Sequence, residues 1–75
     1  MRPAISLTYD KQLAPNVAVH ITNIPGSIAP GGEHDRQKQF IDRPTTSRLR
    51  HLMTVARQRM AAGETDIRID FSDDV

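Results

Sequence analysis

The sequence predicts a small single α+β domain over residues 1–75, with an antiparallel sheet of three to four short strands and one amphipathic helix in the order ββ(β)αβ. Two patterns predict it. Leu49, Leu52, Met53, Ala56 and Met60 recur at i, i+3, i+4, i+7 and i+11, which is the spacing of one helix face. Val17, Val19 and Ile21, and again Ile67, Ile69 and Phe71, alternate with polar residues, as strands with one buried face do.

Taken in order, Ile5-Ser6-Leu7-Thr8-Tyr9 alternates apolar and polar residues and predicts a first strand ending near Asp10, with Pro3 suited to its start or to a sheet edge. Leu13-Ala14-Pro15-Asn16 is turn chemistry, because proline presets one dihedral and asparagine tolerates another that most residues avoid. The short connection to Val17–Thr22 makes the first two strands an antiparallel hairpin. From Asn23 to Gly32 two prolines and three glycines fall in one stretch, and residues 23–35 are expected to form a flexible loop. Ile24 and Ile28 within it are expected either to tuck under the sheet or to anchor a partner.

Residues 33–42 admit a third strand or a short polar helix. The strand is favoured, pairing with residues 17–22, because a helix here would carry an apolar stripe only one or two residues wide. Pro44 then stands at the entrance of the main helix, where Thr45, Thr46 or Ser47 is expected to cap it, and Gly63 ends it. The predicted core is Ile5, Leu7, Val17, Val19, Ile21, Leu49, Leu52, Met53, Ala56, Met60, Ile67, Ile69 and Phe71.

The chain has 75 residues and no cysteine, so neither disulfides nor a zinc–thiolate site can supplement a small core. With one tyrosine, two phenylalanines and no tryptophan, a stacking platform for bases is disfavoured. No apolar run approaches the ~20 residues that span a bilayer, and the first residues lack the apolar stretch of a signal peptide, so a cytoplasmic location is expected. Eight arginines against two lysines point to a GC-rich coding genome, hence a bacterial or phage source.

A formal net charge of +1 hides a segregation. Arg36, Lys38, Arg43, Arg48, Arg50, Arg57 and Arg59 face Asp42 alone in residues 36–59, whereas Glu64, Asp66, Asp70, Asp73 and Asp74 face Arg68 alone in residues 60–75. With Leu49 at zero and about 100° per residue, Arg57 and Arg50 lie at about 80° and 100°, and Arg48 and Arg59 at about 260° and 280°. The arginines therefore bracket the apolar stripe in two rows. A recognition helix for the DNA major groove would carry its cations on the side away from its core. Here the arginine stems are expected to cover apolar edges while their heads meet acids such as Asp66 and Asp70, or an outside anion.

Catalytic chemistry is not encoded in any recognisable pattern. There is no cysteine nucleophile, no Gly-x-Ser-x-Gly elbow, and Gly31-Gly32 lacks the spacing of a phosphate-binding loop. Glu33-His34-Asp35 is three successive loop residues that point in different directions, and His20 and His51 are expected on polar faces. No enzyme, metal or cofactor is expected. The favoured function is a non-catalytic protein-binding module, a regulator or inhibitor of a larger host machine, contacting its partner through Ile24, Ile28, Arg36, Lys38, Arg43, Arg50 and Arg57. The alternative is a dimeric nucleic-acid-binding regulator using Arg36, Lys38, Arg43, Arg48, Arg50, Arg57 and Arg59. A homodimer would serve either, should the helix stripe exceed what the short strands cover.

Overall fold

The computed structural model describes residues 4–28 and 39–73. Strand β1 runs Ala4–Ala14 and β2 runs Val17–Ile28, joined by a turn at Pro15-Asn16 into the expected antiparallel hairpin. A two-residue strand β3, Gln39–Phe40, precedes helix α1, Arg43–Ala61, and strand β4, Asp66–Asp70, follows it. The α+β class and element order are those the sequence predicts, and the sheet is antiparallel except where β4 joins it.

β2 is the spine. β1 occupies one of its edges along its whole length, from Ala14↔Val17 to Ala4↔Ser27, so β4 and β3 share the other. β4 pairs with Ala18–Thr22 and β3 with Ser27 and Ile28. β3 is antiparallel to β2, but β4 is parallel to it, because α1 lies in the crossover between them and returns the chain to its starting end. The expected partner of the third strand is thereby corrected. Residues 18–22 are taken by β4, so β3 joins β2 further along.

The loop expected over residues 23–35 is corrected over Asn23–Ile28, which continue β2; residues 29–35 lie outside the described residues. The register moves from Tyr9↔Ile21 to Leu7↔Ile24, so Thr22 and Asn23 together oppose Thr8 as a β-bulge. Asn23 carries a φ of 59°, a conformation asparagine tolerates and most residues avoid. The bulge shifts the side-chain parity by one residue. Ile24 therefore turns inward after Val19 and Ile21 and is 1% exposed. Gly26 also faces inward, where a Cβ would lie 2.6 Å from Leu7 Cδ1 and 3.3 Å from the Phe40 carbonyl oxygen, so Leu7 would have to shift to admit a side chain there.

The helix begins one turn earlier than its threonines suggest. Asp42 is its N-cap, its carboxylate accepting the Thr45 N–H at 2.9 Å, while Pro44 stands in the first turn, where its missing N–H leaves nothing unsatisfied. This corrects the expectation of a cap at Thr45–Ser47. Thr45 is instead buried inside the first turn, and Thr46 donates its hydroxyl to the Asp42 carbonyl. Gly63, at a φ of 101°, ends the helix as expected.

The core joins Val19, Ile21 and Ile24 of β2, Leu52, Met53 and Ala56 of α1, and Ile67, Ile69 and Phe71 at the C-terminal end. Leu7, Leu13, Val17, Ile41, Leu49, Val55 and Met60 pack around it, half-buried. The helix packs chiefly against β2 and β4. Between Leu7 and Leu13, which reach the core, β1 presents Tyr9 and Lys11 on this face, where β2 and β4 present isoleucine and valine.

Candidate functional site: a cationic groove beside the helix

The uncovered strip of β1 leaves a groove of about 380 Å³ between that strand and α1. Leu49 and Met53 form its apolar side. Lys11 reaches it from β1, Arg50 and Arg57 from one rim of the helix, and Tyr9, Thr46 and Thr54 contribute hydroxyls. No carboxylate lines it, and none of its three cations is in an ion pair among the described residues. Arg50 and Arg57 are seven residues apart, hence about 10 Å along the helix and on one side of it.

The other arginine row has a different fate. Arg59 grips Glu64 with two nitrogens, Nη2 to Oε1 at 2.7 Å and Nε to Oε2 at 2.9 Å, and reaches the Arg68 carbonyl at 3.2 Å. Beside Arg59, Glu64 is held below the usual carboxylate range. Arg48 donates to the Phe71 and Asp73 carbonyls and lies over the Phe71 ring, 5.2 Å from its centroid. The two rows are thus unequal: Arg48 and Arg59 tie the helix to the C-terminal segment, while Arg50 and Arg57 stay open.

Asp66 and Asp70, expected to meet the helix arginines, do not. In β4 the inward positions are Ile67 and Ile69, so Asp66, Arg68 and Asp70 point to the opposite face of the sheet. There His20 sits between Asp10, 2.7 Å from its Nδ1, and Asp66, 3.4 Å from its Nε2, and Arg68 contacts Asp66 at 3.3 Å. Asp70 accepts from the Ser72 hydroxyl and N–H and from Asn23 Nδ2, which keep its carboxyl below the usual range. The acids of this face are satisfied within the fold. Among the described residues no group of three or more histidine, cysteine, aspartate or glutamate side chains is placed to hold a metal ion.

Of the residues the sequence put forward for binding, Arg50 and Arg57 are brought together. Arg43 is exposed in the first turn of α1, Ile28 is half-buried at the end of β2, and Ile24 belongs to the core, where the bulge directs it. Arg36 and Lys38 lie outside the described residues, as do Glu33, His34 and Asp35. His51 is exposed on the outer side of the helix. Lys11 and Tyr9 were not among the candidates. The signal for them is the alternation Ile5, Leu7, Tyr9, Lys11, Leu13, which continues past Asp10 up to the turn and assigns both to the helix-facing side.

No family model, curated protein or solved structure matches the chain. Among the described residues no helix is long and apolar enough to cross a membrane.

Proposed function

We propose that the chain is a non-catalytic protein-binding module, a small regulator or inhibitor of a larger machine, whose groove between β1 and α1 takes an acidic segment of a partner protein. One observation carries this reading. Lys11, Arg50 and Arg57 converge on an apolar floor with no acid among them, while the opposite arginine row is engaged inside the fold, Arg59 by Glu64 and Arg48 by backbone carbonyls. Like charges around a common groove repel, and a partner carboxylate relieves that repulsion as it binds.

Exposed ion pairs contribute only about 0.2–1 kcal/mol each, so affinity would come chiefly from aliphatic groups set against Leu49 and Met53. The cations would set orientation and speed encounter. A nucleic-acid regulator would use the same cations. Its list of phosphate contacts includes Arg48 and Arg59, however, and both already donate to groups of the chain itself.

The test is affinity purification from the native host with the wild-type chain and with Arg50→Glu/Arg57→Glu, read by mass spectrometry. Both arginines are exposed, so the double variant should unfold at the wild-type temperature. A protein recovered by the wild type and lost by the double variant supports the reading. Undiminished recovery by a folded double variant refutes it, as does recovery of no protein alongside salt-sensitive binding to a DNA or RNA probe.

A further inference from the structure

The geometry points to strand addition as the way the acidic partner is held: an extended segment pairs through its backbone with the outer edge of β1 and lays alternate side chains into the groove. This rests on the protein-binding reading above and adds the partner's conformation and residue pattern.

β1 is eleven residues long, and β2 takes only its inner edge. Among the described residues no strand pairs with the other edge, so alternate N–H and C=O groups along β1 face outward as a template for another chain. The two charges of β1 do not close it. Asp10 is turned to the far face and held by His20, and Lys11 points into the groove. The groove lies on the helix-facing side of this same strand, with Tyr9 and Lys11 forming its β1 wall.

The spacings agree. On an added strand, residues two apart point to the same face at about 6.8 Å, and residues four apart at about 13 Å. Arg50 and Arg57, about 10 Å apart on flexible stems, can therefore each meet one of two acids at i and i+4. The residue between them, at i+2, falls over Leu49 and Met53 and is aliphatic. The pattern is acid-x-aliphatic-x-acid.

A second copy of this chain fits the same edge poorly. Antiparallel pairing of β1 with its own copy relates the two molecules by an axis perpendicular to the sheet, which leaves both helices on one face. Lys11, Arg50 and Arg57 of each copy would then share one cleft, cation against cation. Charge complementarity selects an acidic segment instead.

The experiment uses the full chain and synthetic acetyl-Thr-Glu-Thr-Val-Thr-Glu-Thr-amide, followed by NMR and amide hydrogen exchange. Three further peptides accompany it: one with both Glu replaced by Gln, one N-methylated at the threonines, and one N-methylated at the Glu and Val positions. The parent peptide is expected to shift resonances of Tyr9, Lys11, Arg50 and Arg57 and to slow exchange at alternate amides of β1. The Gln peptide should bind about tenfold more weakly. Because successive amides of a strand point to opposite edges, one N-methylated peptide should lose binding while the other keeps it.

If both N-methylated peptides bind as well as the parent and shift the groove, strand addition is overturned while the acidic-partner reading stands. If no peptide binds, both fall. A chain that sediments as a dimer with β1 already protected in the absence of peptide assigns the edge to a second copy and overturns the inference. So does a short DNA duplex that shifts the same resonances and displaces the parent peptide.

Discussion

Asn23 is the residue on which the inner face of β2 depends. Its φ of 59° lets two residues of β2 oppose one of β1, and its side chain is fixed by donating to Asp70 at 2.9 Å. Without that extra residue Ile24 would point to solvent and Asn23 into the core. Replacement by valine, whose branched side chain resists this backbone region, should cost about 1–3 kcal/mol. Asn23→Gly keeps the conformation and should cost less, losing only the side-chain hydrogen bonds. Urea denaturation of the two variants decides the matter, and a valine variant as stable as wild type would show that β2 can shed the bulge.

At the scale of elements, the hairpin, the helix and β4 were legible because each repeats one period long enough to assign a buried face. The second half of β2 was not. Its proline and glycine read as loop, yet Pro25 lies in the stretch of β2 between β4 and β3, where among the described residues no strand pairs on that edge and an absent N–H interrupts no ladder. Gly26 likewise marks close packing by Leu7 rather than a bend. The groove was half legible. Helical angles placed Arg50 and Arg57 together, but only the continuation of β1 past Asp10 brings Lys11 and Tyr9 opposite them.

The ends of the elements also set a pH dependence. Asp42, Glu64 and Asp70 all lie below the ordinary carboxylate range, Asp42 through the Thr45 hydroxyl and then its N–H, Glu64 through Arg59, and Asp70 chiefly through Ser72. A carboxyl whose folded value is depressed stabilises the fold fully above its unfolded value, and that stability is lost as pH falls through the folded one. The urea midpoint should therefore be insensitive to these groups above about pH 5 and decline steadily from about pH 4 to pH 2. Asp42→Asn, which keeps a capping oxygen without the charge, should flatten part of that decline. A midpoint constant down to about pH 2 would count against all three contacts.

At the scale of the whole molecule, a core this small leaves little reserve. Domains hold about 0.05–0.15 kcal/mol per residue, and Leu→Ala in a core costs about 2–5 kcal/mol. Leu52, fully buried among β2, β4 and the helix, is the side chain to test. Leu52→Ala should lower the melting temperature by more than about 10 °C or leave the chain unfolded, as circular dichroism would report. A fall of under about 4 °C would mean that the core repacks around the loss.

The shared second edge of β2 has a consequence for the order in which the chain leaves the ribosome. The β1–β2 turn is local, and such hairpins close in about 1–10 μs. β4, which covers Ala18–Thr22, is separated from β2 by the whole of α1 and is translated last of the described strands. At about 5–20 residues per second, the interval between them lasts several seconds. For that time a nascent β2 exposes Val19 and Ile21 and an unpaired backbone edge, a window in which a chaperone or a neighbouring nascent chain competes with the strand still to come.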